Sequence, residues 1–408
     1  PDLQLAAETS GKNSLVITPN ADLDIAAGDL AKSAFGHAGQ KCSAASLGIL
    51  VGSVYKNKQF LAQLVDAVES MKVGYGTQPD ASVGPLIEEP SEKLLKALTT
   101  LDDGETWLLE PKQLDETGRL WRPGIKYGVK PGNFFQTTEC FGPVLGLVRA
   151  KNLKQAIEIQ NSTAYGLTAG IHSLNSSEIS SWCETVDAGN LYVNRGITGA
   201  IVQRQPFGGF KRSSVGFGLK AGGQNYILQF GTFNDNQEKF AGINQFQISG
   251  VKKTIAKYVH SVELLMESNR DHLLLEMAAA SDEYWANELF KSPPISGELT
   301  YEGNYHRYLI NPCTVRVNAD ATKAKLARVV QALLLANHRE HTISISPGFL
   351  ERTVLTKEQL TVLTGGLKFV VEENLEIIPA RLILVGSKEE NIMQLESNPD
   401  LFVYDLEH

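Results

Sequence analysis

Apolar and polar positions along the first half of the chain alternate between two periods. Ala21–Ala38 places its apolar residues at helical spacing, with Asn20 as the expected N-cap and Asp22 and Asp24 in the first turn. Ser46–Gly52 is a short, almost continuous apolar run closed by glycine, which predicts a strand buried on both faces. Asn57–Met71 and Glu88–Leu101 again carry helical periodicity. Val144–Val148 and Asn190–Val193 predict strands, with helices at Leu153–Asn161 and Ser176–Val186. Such alternation predicts an α/β unit built on a parallel sheet.

The pattern breaks near residue 235. Asn234-Asp235-Asn236-Gln237-Glu238-Lys239 is polar and has no apolar period, so a linker is expected over 236–259. Helical segments follow at Val251–Glu267 and His272–Phe290, then the turn-rich Ser292–Gly303. A second alternation starts at Cys313–Val317 (strand) and runs through Ala321–Ala336 (helix), Thr342–Ser346 (strand) and Lys357–Thr364 (helix). Strands are expected again at Lys368–Val371 and Leu382–Val385. The expected division is therefore 1–235, a smaller α/β Rossmann-like domain over 260–390, and a tail, 391–408, with one strand at Leu401–Tyr404.

Composition narrows the class without naming it. The 408 residues are 42% hydrophobic and 21% charged, as in ordinary globular proteins, and carry a net charge of −8. That sign opposes nucleic acid and anionic lipid, and no basic stripe offsets it. The longest apolar runs, such as Leu47–Val51 and Leu382–Val385, are too short to span a bilayer. Four cysteines without a CxxC spacing argue against a disulfide framework or structural zinc, and a reducing, cytoplasmic setting is expected. His338 and His341 have ligand-like spacing but no acidic or cysteine partner, so they read as solvated loop residues and no metal is expected.

Gly39-Gln40-Lys41-Cys42-Ser43-Ala44 sets a cysteine among small residues, after a helix and before a buried strand. Upstream, Glu8 opens the loop Glu8-Thr9-Ser10-Gly11-Lys12-Asn13. A thiol and a carboxylate suit two-step covalent catalysis, in which the thiolate attacks a carbonyl and the carboxylate later activates water. Residue types alone do not promote this pair, because a single cysteine is more often a small buried hydrophobe. A cysteine hydrolase would need a histidine base, and neither His37 nor His172 has a recognisable context for one. Cys183 and Cys313 read as packed thiols, whereas Cys140 lies within a motif described below and is expected close to the active site. Gly216-Phe217-Gly218-Leu219-Lys220-Ala221 matches G-x-G-x-x-A, but no strand precedes it, so it is a poor dinucleotide fingerprint.

The two loops resemble the paired signatures of the aldehyde dehydrogenase superfamily, in the same order. The resemblance extends to Val73-Gly74 with Gly84-Pro85-Leu86-Ile87, and to Glu139-Cys140-Phe141-Gly142-Pro143-Val144. It continues through Asn161-Ser162-Thr163-Ala164-Tyr165-Gly166-Leu167 to Pro206-Phe207-Gly208-Gly209. One departure is Ser10-Gly11, where many members have two glycines. Asn194-Arg195-Gly196-Ile197-Thr198-Gly199-Ala200-Ile201-Val202, followed by Gln205-Pro206-Phe207-Gly208-Gly209, is similar to the aldehyde-anchor loop of glutamate γ-semialdehyde (Δ1-pyrroline-5-carboxylate) dehydrogenases.

That resemblance implies Cys42 as nucleophile and Glu8 as base. It implies Ser43, Gly199 and Ala200 on the substrate's α-carboxylate, Phe207 along its methylenes, and Glu139 and Phe141 at NAD(P). It also implies that an NAD-binding domain precedes residue 1 and brings a second oxyanion donor to join the Cys42 N–H. The Phe210-Lys211-Arg212-Ser213-Ser214 run and the second domain resemble the longer proline utilization A enzymes. In these, an FAD-dependent proline dehydrogenase precedes the aldehyde dehydrogenase and passes it the semialdehyde internally, while the C-terminal α/β domain is non-catalytic. Those upstream domains are the expected partners, and a homo-oligomer is compatible with the sequence. A competing expectation is an inert scaffold or oligomerisation fragment, and another is an aldehyde dehydrogenase of different substrate.

Overall fold

The computed structural model describes residues 6–200, 206–215, 220–223, 226–231, 251–289, 303–306, 313–336, 341–375, 381–387 and 402–405. The chain divides into two units, residues 1–229 with 293–307, and residues 230–292 with 308–408.

Strands of the first unit are β1 (Ala7–Glu8), β2 (Asn13–Ile17), β3 (Ala45–Val51), β4 (Thr106–Leu109), β5 (Lys112–Gln113), β6 (Trp121–Arg122) and β7 (Gly124–Val129). They continue as β8 (Val144–Ala150), β9 (Tyr165–Gly166), β10 (Thr168–His172), β11 (Asn190–Val193), β12 (Phe210–Lys211), β13 (Ser214–Val215) and β14 (Gly303–His306). Eight of them form one sheet in the order β14-β11-β10-β2-β3-β8-β7-β4. The six inner strands are parallel, and the edge strands β14 and β4 run antiparallel to their neighbours. Leu15, Val16 and Ile17 on β2 are fully buried, each contributing about 1.5–3 kcal/mol of apolar transfer. Helix α1 (Leu23–Phe35) reaches β3 through Leu30. A Cβ at Gly48 of β3 would lie 3.0 Å from Leu30 Cδ2 and 2.9 Å from Leu147 Cδ2, so glycine there admits both side chains.

Because β2, β3, β8, β10 and β11 are parallel, their preceding loops open at one amino-terminal edge. Asn13 opposes Ala45 and Thr168 opposes Asn190. Open α/β sheets usually bind ligands at the carboxyl ends; here Glu8, Cys42, Glu139 and Phe141 all precede their nearest sheet strands.

The second unit holds an all-parallel sheet of β15 (Thr314–Val317), β16 (Thr342–Ile345), β17 (Lys368–Val371), β18 (Arg381–Val385) and β19 (Phe402–Asp405), in the order β17-β16-β15-β18-β19. Helices Lys253–Val262, Asn269–Leu289, Lys323–Leu335 and Lys357–Leu363 belong to it. No helix among the described residues is long and apolar enough to cross a membrane.

The fold class is the expected one, an α/β unit on a parallel sheet followed by a smaller α/β unit. Details differ. Asp22, not Asn20, caps α1, because its carboxylate accepts from the amides of Asp24 (3.1 Å) and Ile25 (3.2 Å). The helical segment expected at Val251–Glu267 is present as helix Lys253–Val262, where Ile255, Tyr258 and Val259 supply a buried face, so it starts inside the expected linker 236–259. Gly303–His306, expected within the second domain, is the edge strand β14 of the first sheet. The terminal strand β19 is not a separate tail; it pairs with β18. Residues 236–250 and 388–401 lie outside the described residues.

Candidate functional site

Cys42 stands at the end of a strained turn. After α1, His37 (φ 56°), Ala38 (φ 55°) and Gly39 (φ 68°) are successively left-handed, a conformation costing non-glycine residues roughly 1–2 kcal/mol each. Gly39 also meets the cofactor-motif loop, since a Cβ there would fall 2.3 Å from Gly142 O. The loop then exposes the Cys42 side chain and buries Ser43. The carbonyls behind the thiol are tied down: Asn13 Nδ2 donates to Cys42 O (2.7 Å) and Ala44 O (3.0 Å), and Thr168 Oγ1 donates to Ser43 O (3.3 Å). Asn13 Oδ1 accepts from Thr168 N at 3.0 Å, so one buried amide joins β2, β10 and the nucleophile loop. Among the described residues the Cys42 N–H has no hydrogen-bond partner and remains available to an oxyanion. The substitution at Ser10 leaves Gly11 as the residue under Cys42; a Cβ there would lie 2.7 Å from Cys42 O.

Glu8 lies on β1, which pairs with β13 just beyond the Pro206–Gly209 loop. Its Oε2 accepts from Gly209 N (2.9 Å) and its Oε1 from Ser214 Oγ (3.2 Å). The residue keeps a solvent-facing side, yet packing around the carboxyl raises its pKa, opposed by those two hydrogen bonds and by the Lys220 charge. A carboxylate drawn toward neutrality is better matched to taking a proton near physiological pH. Phe207 is half-buried and double-bonded by its backbone to Ala221, each N–H donating at 2.9 Å. The Tyr165–Gly166 turn supports the same loop as β9 paired with β12, and Lys211 Nζ donates to Asn161 O at 2.7 Å.

On the cofactor side, Glu139 Oε1 accepts from Gly11 N at 2.9 Å, joining the two motifs. Phe141 is left-handed (φ 57°) and 36% exposed, so its ring remains open to a ligand. Gln40 holds this side together, donating to Phe141 O (3.2 Å) and accepting from Ile87 N (2.9 Å). Gly11, Lys12, Gly39, Lys41, Glu139, Cys140, Phe141 and Gly142 line one cleft. In its wall the Lys12 ammonium is fully enclosed, lies 4.1 Å from the Phe135 ring centroid, and has no hydrogen-bond partner among the described residues. Burial pulls its pKa down to about 8, against the opposing influence of Cys140 and Glu139. A buried cation, an open aromatic ring and a carboxylate in a glycine-walled cleft fit one end of a nicotinamide nucleotide. Cys140 is buried here, as is Cys183 elsewhere in the unit.

The Gly199–Ala200 segment is tied to the first sheet through Tyr192 on β11. Its hydroxyl donates to Gly199 O (3.3 Å). Burial pushes its pKa up to about 12, with Arg195 opposing and the Cys42 charge adding to the rise. Gly199 is left-handed (φ 87°) with open space where a Cβ would stand, and Ala200 is exposed. No hydrogen bond to a described residue occupies either amide. Ile201, Val202 and Gln205 lie outside the described residues, as do Gly216–Leu219 of the weak glycine motif.

The structure therefore brings Glu8, Glu139 and Phe141 to the Cys42 edge, with Phe207 beside Glu8 and Gly199–Ala200 linked through Tyr192. Sequence reasoning missed Asn13, Gln40, Lys12 and Tyr192 as working parts. The first three were visible only as motif letters, and Tyr192 only as an apolar strand position. His341 is a correction: it is fully buried, not a solvated loop residue, and its Nδ1 accepts from Cys313 N at 3.1 Å. His338 lies outside the described residues. Among the described residues one group has cation-binding spacing, His260, His272 and Glu276, whose ligand atoms lie within 4.8 Å of one another. It belongs to the second unit and His260 is exposed.

The model of the "Aldehyde dehydrogenase family" matches residues 3–234. A 1-pyrroline-5-carboxylate dehydrogenase of Geobacillus sp. (strain WCH70) is 38% identical over 226 residues, covering 55% of this chain and 43% of that protein. The structure of proline utilization A from Corynebacterium freiburgense aligns with a TM-score of 0.74 and 41% identity, over 98% of this chain and 37% of that one. A Thermus 1-pyrroline-5-carboxylate dehydrogenase with bound NAD aligns at TM-score 0.50 and 34% identity, over 55% of this chain and 43% of that one. The chain thus spans less than half the length of these relatives.

Proposed function

The chain belongs to the aldehyde dehydrogenase family, and we propose that it supplies the nucleophile, base and substrate anchor of an NAD-dependent glutamate γ-semialdehyde dehydrogenase. The observation that supports this reading is an exposed Cys42 and the Glu8 carboxylate ahead of the first sheet's parallel strands, with Gly199 bonded to Tyr192 and the Gly199 and Ala200 amides without a hydrogen bond to a described residue. Relatives named for 1-pyrroline-5-carboxylate support the substrate.

Cys42 attacks the aldehyde carbon through its thiolate, and its own N–H receives the developing oxyanion. The amides of Gly199 and Ala200, with Ser43 near the nucleophile, hold the α-carboxylate as an anion nest. Phe207 covers the methylene chain. Glu139 and Phe141 would hold the near end of NAD, which would supply the hydride acceptor. Glu8 then takes a proton from the water that attacks the Cys42 thioester, and glutamate leaves as the thiolate is restored. We read the parent as a longer chain of the proline utilization A type, with an FAD-dependent proline dehydrogenase and the NAD-binding domain upstream. The second unit serves there as a non-catalytic part. A reducing cytoplasm keeps Cys42 competent.

The test replaces Ala200 by Trp in the full-length enzyme, blocking the nest. Losing hydrogen bonds to a charged carboxylate is expected to raise KM for the semialdehyde by about 10- to 100-fold, and KM for propanal much less. Equal effects on the two aldehydes would remove the anchor assignment.

A further inference from the structure

Beyond the Pro206–Gly209 loop lies a group that the reaction above does not use. Lys220 is buried (2% exposed), and its Nζ donates to Gly208 O at 2.6 Å and to Gly189 O at 2.7 Å. Its neighbour Ala221 is bonded in both directions to Phe207, which fixes the register of the two segments. A Cβ on Gly208 would lie 3.0 Å from Lys220 Cγ and 3.1 Å from Glu8 Oε1, so only glycine lets the base and the lysine approach this closely. The peptide unit between Gly208 and Gly209 is the link. Its carbonyl accepts from Lys220 on one side, and its N–H donates to Glu8 Oε2 at 2.9 Å on the other.

We propose that Lys220 is a positioning residue for the base, orienting and polarising the Gly208–Gly209 peptide so that its N–H holds Glu8 as a carboxylate aimed at the acyl-Cys42. A charged donor on the carbonyl strengthens the N–H at the other end of the same peptide, because hydrogen bonds in a chain polarise one another. The bland alternative is a lysine that merely satisfies two buried carbonyls. Asn190 Nδ2 already donates to Gly208 O at 3.2 Å, so satisfying that carbonyl alone does not require a buried ammonium. Burial pulls Lys220 down to about 7, while the Glu8 charge opposes the fall, and Glu8 itself is raised. Among the described residues, the groups around Lys220 and Glu8 are each other, Asn190, Ser214, the Phe210 ring 5.1 Å from Nζ, and backbone. The Lys220 charge opposes the rise in Glu8, so removing it makes ionisation of Glu8 harder.

This inference rests on Cys42 and Glu8 acting as nucleophile and base, but not on the identity of the aldehyde, so it is tested with p-nitrophenyl acetate. Cys42 thiolate displaces p-nitrophenolate in a burst; water, losing a proton to Glu8, then hydrolyses the thioester in the steady phase. In the full-length enzyme Lys220→Met should leave the burst within about twofold. The steady phase should slow about tenfold or more, a fraction of what a general base supplies, with its acid limb moved to higher pH. Lys220→Arg, which keeps the charge, should keep the acid limb near its original position. A steady phase and acid limb unchanged in Lys220→Met would overturn the proposal. So would burst and steady phase falling together with an unmoved limb, the signature of a purely structural role. Absence of any burst in the unsubstituted enzyme would instead strike the Cys42 reading, and the inference with it.

Discussion

Both units place a cysteine at the amino-terminal edge of a parallel sheet, and the two cysteines have opposite fates. Cys42 precedes β3 by a short turn, is exposed, and looks out from carbonyls fastened behind it. Cys313 abuts β15 directly and is buried against His341, which abuts the adjacent strand β16; Sγ lies 3.2 Å from Nδ1. By residue type the second pair looks more catalytic than the first, since a thiol beside an imidazole is a known way to activate a nucleophile. Its setting is different, because both side chains are buried and abut their strands directly. The lesson is that the turn ahead of the strand decides whether a thiol can react. In the first unit the left-handed His37, Ala38 and Gly39 make that turn.

The largest expected effect breaks the comparison directly. Cys42→Ala in the full-length enzyme should lower semialdehyde-dependent NAD reduction by at least about four orders of magnitude, as loss of a covalent nucleophile does. Cys313→Ala should leave that rate within about twofold, while costing about 1–2 kcal/mol of stability for a small buried side chain. Stopped-flow absorbance at the reduced cofactor measures the first, and urea unfolding the second. A comparable rate loss in Cys313→Ala would mean that the buried pair takes part in turnover.

The sequence made the nucleophile legible only in company. Cys42 alone reads as a packed thiol, but the Glu8, Glu139 and Pro206–Gly209 motifs around it are spaced by backbone requirements that few other proteins share. Buried parallel strands with strong apolar runs, such as β3 and β11, were equally legible. β2 was not, because its residues belong to a motif whose first half is a loop and whose last residue, Asn13, begins the strand. Gly303–His306 escaped for a different reason: an edge strand pairs through its backbone, and Gly303-Asn304-Tyr305-His306 has no apolar alternation to reveal it. Contacts between motifs, such as Gln40 to Ile87 or Lys220 to Gly208, join residues far apart in sequence through one hydrogen bond and leave no periodic trace.

A smaller effect separates packing from chemistry in the second unit. Arg316, on β15, is buried and donates to Ser344 Oγ (2.9 Å), Glu372 O (2.9 Å) and Glu373 O (2.6 Å), fixing the carboxyl-terminal side of the second sheet. Arg316→Met leaves those acceptors without their cation and should cost about 2–3 kcal/mol, the penalty for stranding buried polar groups. The ester burst of Cys42 should be unaltered. A burst that shrinks in step with the loss of unfolding free energy would show that the second unit controls the nucleophile loop.

The smallest effect concerns the first helix after a strand and turn in each unit. Asp22 caps α1 with a carboxylate that accepts two amides, whereas Thr322 caps helix Lys323–Leu335 with a hydroxyl that accepts one, from Lys325 N at 3.1 Å. An ionised cap also answers the helix dipole, which a hydroxyl does only weakly. Asp22→Ala should therefore cost about 1–2 kcal/mol and Thr322→Ala about 0.5–1 kcal/mol, with Asn20→Ala near zero. Because α1 leads into the left-handed turn before Cys42, Asp22→Ala should also increase amide hydrogen exchange at Gly36–Cys42. Thr322→Ala has no reactive loop downstream to loosen. Equal exchange at Gly36–Cys42 in Asp22→Ala and the unsubstituted protein would mean that the turn is held by Gln40 and the Gly142 contact alone, independently of its helix.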